Sequence, residues 1–116
     1  PRALSKTMDM HSNGAAKVWV NFTSVTTTEI TASYNVTSLT DNGTGNTTIN
    51  ITNGFLATTY AYTSCCEDEN ASGGVFITRF AGDAKTTLAL QVRAIADSGA
   101  AVDTANQSVA MYGILN

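Results

Sequence analysis

Two adjacent cysteines, Cys65 and Cys66, run directly into Glu67, Asp68 and Glu69, and together they are the densest group of reactive and metal-ligating side chains in the sequence. Thiolates form disulfides and hold soft metals, and carboxylates collect hard cations such as calcium. Neither chemistry fits this spacing. Consecutive Cα atoms lie about 3.8 Å apart, short of the roughly 4.4–6.8 Å that a disulfide spans. The pair is therefore expected not to be bonded to each other, with the two thiols on opposite faces of a strand. No Cys or His stands at ligand spacing from them, so a zinc site is not expected. The three carboxylates lack the alternating Asp-x-Asp-x-Asp of a calcium loop and continue into Asn-Ala-Ser-Gly-Gly, which reads as a solvated loop. No metal or other cofactor is expected.

Catalysis finds little to work with. The sole histidine, His11, has no Ser, Cys or Asp constellation that the sequence places beside it. Asp83 or Asp97 paired with Glu29 would be the carboxylates for glycan hydrolysis, yet nothing nominates them over any other acidic pair. No glycine-rich loop leads from a strand into a helix, so no phosphate cradle is present. The reading is of a protein that is not an enzyme. Asn21, Asn35, Asn42, Asn46, Asn50, Asn70 and Asn106 all head Asn-x-Ser/Thr triplets. A chain this rich in Asn and Thr produces such triplets by composition, and Asn21 and Asn35 fall inside strand patterns where a glycan would obstruct packing.

The elements that must position these residues are strands. With 116 residues the chain is long enough for one core and too short for two. Charged residues make up 13%, about half the usual share, and the difference is filled by Thr, Ser, Asn and Gly, which suit pleated strands and turns. Six basic residues stand against nine acidic ones with no basic run, so nucleic acid is not an expected partner. No stretch reaches the roughly 18 apolar residues of a spanning helix, and membrane insertion is not expected.

Apolar residues alternate with polar ones along most of the chain. Val18, Val20 and Phe22 share one face of a first strand, and Ile30, Ala32, Tyr34 and Val36 one face of a second. Asn42-Gly43 marks a tight turn. Ile49 and Ile51, then Tyr60, Tyr62 and Ser64, then Val75 and Ile77, then Leu88, Leu90, Val92 and Ala94, and finally Val109 and Met111 continue the rhythm. About seven short strands with a single Pro predict an all-β antiparallel sandwich, formed by residues 15–116. Residues 97–107 read as a turn, because Gly99 interrupts them and no apolar stripe runs through them. Residues 1–14 read as an N-terminal tether or linker, and a chain that starts with Pro1 is expected to be a processed product or a fragment.

Three positions break the simple alternation. Trp19 points away from Val18 and Val20, alongside Lys17 and Asn21, and Phe76 and Phe80 are apolar on the face opposite Val75 and Ile77. Either both faces of these strands are covered within one subunit, or Trp19, Phe76 and Phe80 contribute to a subunit interface, where aromatics are enriched.

The series Ala-Lys-x-Trp-Val-Asn-Phe over residues 16–22, Ser-Tyr-Asn-Val over 33–36 and Thr-Asp-Asn-Gly-Thr-Gly over 40–45 resembles a small β domain at the C-terminal ends of tail-fibre and related virion proteins of tailed bacteriophages. The resemblance covers residues 15 to about 53, and beyond them only the strand rhythm and the closing Ala-Met-Tyr-Gly-Ile-Leu-Asn. It implies a virion structural protein that mediates attachment to the bacterial surface, assembled as a homotrimer, joined to other virion proteins on its N-terminal side and facing a glycan or protein receptor. A capsid decoration or head-fibre domain, and a cellular adhesin or carbohydrate-binding module, are the alternatives.

Strand parity then suggests which end meets a host. If successive strands reverse direction, the entry of the first strand shares an end with loops 41–45, 67–73 and 97–102, and the opposite end holds loops 24–28, 53–58 and 81–85. With the tether leading back to the particle, that opposite end is the candidate receptor surface. Phe55 and Leu56 are its apolar anchors and Asn53, Asp83 and Lys85 its polar contacts; the plainer reading has Phe55 and Leu56, Leu56 above all, folding inward to plug the core.

Overall fold

The computed structural model describes residues 14–67 and 75–116, with the side chain of Phe76 outside that description. The tether reading for residues 1–14 therefore falls, but for Gly14, outside the described residues, as do His11, Asp68 and Glu69. The described chain is all β. It forms β1 (Ala16–Thr23), β2 (Glu29–Tyr34), β3 (Val36–Asp41), β4 (Asn46–Ile51), β5 (Ala61–Cys66), β6 (Val75–Thr78), β7 (Ala89–Ala96) and β8 (Gln107–Tyr112). Two four-stranded antiparallel sheets face each other, sheet A in the order β2-β1-β8-β5 and sheet B in the order β3-β4-β7-β6.

The core follows from strand periodicity. In sheet A, Val18 lies opposite Met111 and Val20 opposite Val109, and all four are buried. In sheet B, Ile49 pairs with Leu90 and Thr47 with Val92, again buried. Phe22, Ile51, Phe55 and Tyr60 complete the cluster. Lys17, expected beside Trp19 on the outer face, is instead buried: the irregularity between Ala16 and Val18 makes it the extra residue of β1. Its Nζ donates to the carbonyls of Ala15 at 3.2 Å and Gly113 at 3.1 Å.

The second strand of the sequence reading is two strands. Asn35 takes φ 61°, the left-handed region that Asn tolerates better than other non-glycine residues. There the chain turns back from β2 in sheet A into β3 in sheet B. This raises the strand count to eight and adds one reversal, and the reversal corrects the parity of everything before it. Loops 53–58 and 81–85 do sit near each other, as Phe55 N donates to Thr87 O at 2.9 Å and Lys85 Nζ to Tyr60 O at 2.9 Å. They belong, however, to the end at which β1 begins, since Asn35 Nδ2 donates to both Lys17 O and Asn53 O. The 24–28 turn lies at the other end, where Ser24 N donates to Thr104 O and Thr104 Oγ1 to Glu67 O at 2.6 Å. The 41–45 turn joins it there: Gly45 N donates to Asp103 Oδ1 at 2.8 Å. Gly45 has φ 67°, and a Cβ on it would stand 2.6 Å from Ala94 O, so only glycine lets this turn close onto β7.

Ile30 and Tyr34, expected on one face, are not core and lie on different faces: Tyr34 is opposite Trp19 on the outer side, and Ile30, past the irregularity, is opposite the buried Phe22. β2 is an edge strand with all six residues exposed. Its inward side overhangs β3 rather than the central β4 and β7.

Candidate functional site

The residues expected to form a receptor surface divide into three environments. Phe55 is buried at 2% exposure and its ring stacks on Tyr60 with centroids 4.2 Å apart. It is a plug of the core and no external anchor, which corrects that expectation. Leu56 shows the reverse, at 63% exposure, with Leu88 and Ile114 also exposed at the same end. Sequence could not tell them apart, because both are apolar neighbours in a loop. Asn53 is held through its backbone: its N–H donates to Asn35 Oδ1 at 2.7 Å and its carbonyl accepts from Asn35 Nδ2 at 2.9 Å.

Asp83 and Lys85 lie on a flank of the sandwich, where β5 overhangs the segment between β6 and β7. Asp83 takes two hydrogen bonds from one guanidinium, Arg93 Nε at 2.7 Å and Nη2 at 2.8 Å. These bonds hold the Asp83 carboxyl below its usual value, against a smaller opposing effect of burial, and Asp83 in turn raises Arg93. Lys85 Nζ sits 4.7 Å from the centre of the Tyr60 ring and 5.7 Å from that of Tyr62. Arg79 Nη2 donates to Asp83 O at 2.7 Å, while its Nε is buried with no hydrogen-bond partner. Phe80, 41% exposed, carries the Arg93 guanidinium 4.6 Å above its ring. Tyr60 closes the floor of this flank. Its hydroxyl donates to Thr86 O at 2.8 Å, and burial pushes its pKa up to about 12, with the Arg79 cation opposing and Tyr62 adding to the rise. Arg79, Tyr60 and Tyr62 were not singled out from sequence as a group, because they come from two segments well apart in the chain; the excess of cations over residues 79–93 was the available signal.

Trp19 belongs to a different surface, the outer face of sheet A. Pairing register lays this face out in rows across the strands. Tyr34, Trp19, Ala110 and Thr63 form one row, Ala32, Asn21, Ser108 and Cys65 the next, and Ala16, Tyr112 and Ala61 a third. None of these side chains is an acid, a lysine or an arginine; the next row, where Thr23 lies opposite Glu29, brings one carboxylate to the rim of the face. Between the 40% exposed Trp19 and the β5 side runs an open trough of about 530 Å³, lined by Trp19, Asn21, Thr63, Cys65, Ser108 and Ala110. Cys65 and Cys66 are not bonded to each other; Cys65 lies exposed on this face, and Cys66 Sγ turns to Val75 O at 3.3 Å.

The outer face of sheet B contrasts with it. Asn50 Nδ2 donates to Ser38 Oγ at 3.1 Å and to Thr40 Oγ1 at 3.0 Å. Gln91 Nε2 donates to Asn46 Oδ1 at 2.8 Å, and Asn42 Nδ2 to Thr48 Oγ1 at 2.7 Å. That face satisfies its own polar groups across the strands and suits water. Among the described residues no group of three His, Cys, Asp or Glu side chains converges. No protein-family model matches the chain, and no curated protein or solved structure is significantly similar to it.

Proposed function

We propose that the chain is a non-catalytic attachment domain of a virion fibre of a tailed bacteriophage, assembled as a homotrimer through the outer face of sheet A. The placement in a virion is supported by the resemblance of residues 15–53. The observation that carries the self-association is the contrast between the two outer faces: one is a hydrogen-bonded polar lattice, the other has eleven central cross-strand positions without an acid, lysine or arginine, bearing Trp19, Tyr34 and Tyr112, with Glu29 at its rim. Depletion of charge with enrichment of aromatics is the mark of an interface centre. Phe80, carrying Arg93, stands on the sheet B side, as does the Phe76 backbone, and in this assembly Trp19 alone of the three expected aromatics is central.

In such an assembly sheet B, its flank and the end formed by loops 24–28, 41–45 and 97–104 stay open to the host. The tether reasoning now favours that end over loops 53–58, because the described chain enters beside the latter. Two measurements test the proposal. Native mass spectrometry at micromolar concentration should give a trimer, and purified domain in excess should slow adsorption of virions that carry it. A monomer would overturn the assembly, and undiminished adsorption would overturn the attachment role.

A further inference from the structure

The chain has a net charge of −3, yet three of its six basic residues, Arg79, Lys85 and Arg93, gather around the 79–85 segment, Arg79 and Arg93 on Asp83 and Lys85 on Tyr60. The other described cation, Lys17, is buried at the entry end. Among the described residues a single carboxylate, Asp83, is bonded on the flank, and Arg93 takes it. The remaining described carboxylates, Glu29, Asp41, Glu67, Asp97 and Asp103, belong to the loops of the far end or the strand ends beside them. Arg79 and Lys85 are thus left to bond backbone carbonyls only.

As a purely structural device this is poor. A buried guanidinium nitrogen without an acceptor costs about 1–3 kcal/mol or more, and a neutral side chain would close the flank without that penalty. As a recognition device it fits. A guanidinium fork and an ammonium together take a carboxylate or a phosphate by charge-assisted hydrogen bonds. Phe80, whose carbonyl accepts from Asp83 N, presents an exposed ring on the Arg93 side, and Tyr62 a partly exposed one beside Lys85, and aromatic faces accept the C–H face of a pyranose ring. Asp83 holds Arg93 over the Phe80 ring and so fixes that platform.

We propose that this flank binds an anionic saccharide, its carboxylate or phosphate held by Arg79 and Lys85 and its ring set against Phe80. The inference rests on the attachment reading for its biological sense, and gives that reading a receptor chemistry. Isothermal titration with oligogalacturonate, with glucose 6-phosphate and with their neutral counterparts separates the two sources of charge. One acidic probe should bind at least about tenfold tighter than its neutral partner and weaken with added salt, and folded Arg79→Gln and Lys85→Gln variants should each lose about tenfold, the worth of one charge-assisted bond. In the unaltered protein the bound acid should also protect Lys85 from acylation, a readout that needs no variant. Equal binding of neutral and acidic probes, or unprotected Lys85, would overturn the site. If the domain still blocks virion adsorption while binding neither acid, this inference fails and the attachment reading stands; if it binds an acid but does not block adsorption, the reverse holds.

Discussion

Asn35 and Asn53 clasp each other reciprocally, the side-chain amide of one bonding both the N–H and the carbonyl of the other at 2.7 and 2.9 Å. This pair fixes the point where the chain leaves sheet A for sheet B and ties it to the loop after β4. Replacing Asn35 by Ala removes both bonds, together with the one from Nδ2 to Lys17 O, and places a Cβ-bearing residue without local compensation at φ 61°. Left-handed backbone costs roughly 1–2 kcal/mol and each bond is worth about 1 kcal/mol. Asn35→Ala should lower stability by about 2–4 kcal/mol, and Asn35→Gly, which keeps the turn, by visibly less. Urea denaturation of the two variants checks the order; equal losses would mean that the bonds alone matter.

Phe55 and Leu56 make opposite contributions despite adjacency. Phe55→Ala empties a site stacked on Tyr60 and should cost about 3–5 kcal/mol. Leu56→Ala on the exposed side should stay within about 0.5 kcal/mol. Thermal unfolding of both variants measures the difference directly.

The sandwich was legible because its core strands keep strict alternation: Val18, Val20 and Phe22, or Leu90, Val92 and Ala94, are buried as their period requires. The switch at Asn35 was not, because Ile30, Ala32, Tyr34 and Val36 alternate across it as one strand would, and only the φ tolerance of Asn marks the break. That single residue displaced the expected ends. The charge-poor face was half legible, since Trp19 stood out against its strand while Ala110, Ser108 and Thr63 carry no signal until register sets them in rows. The cation flank was invisible for a similar reason: it is assembled from β5, the 79–85 segment and β7.

Ala110 lies beside Trp19 near the middle of the outer face of sheet A. A carboxylate there is exposed in the monomer and desolvated in an assembly. Ala110→Glu should therefore leave folding nearly unchanged and shift native mass from trimer to monomer. Cys65, in the neighbouring row, gives an independent reading. Its thiol should react slowly with iodoacetamide in the unaltered protein and quickly in the Ala110→Glu variant, and equal rates would place this face outside any interface.

Acid should weaken the fold through Asp83. Its carboxyl is held below the usual range by Arg93, so its contribution is complete above the unfolded value of about 3.9 and is lost as pH falls through the lower folded value. In Asp83→Asn that part of the acid limb should be missing from a plot of urea midpoint against pH. An unchanged limb would show that the Arg93 contact contributes nothing measurable, as many exposed ion pairs do.

Alkali should act through Tyr60. Its hydroxyl is raised from 10.0 to about 12 by burial, so the folded state favours the neutral phenol. The resulting stability is fully present below the unfolded value and is lost as pH rises from 10.0 to about 12, where the folded group ionises as well. The comparison that isolates Tyr60 is with Tyr60→Phe. That variant gives up the hydrogen bond to Thr86 O and should be less stable by about 1 kcal/mol at neutral pH. The gap between the two proteins should then narrow, and close or invert, across the alkaline window. A constant gap from neutral pH upward would show that Tyr60 ionises as freely in the fold as outside it, and that the floor of the Lys85 flank is open to water.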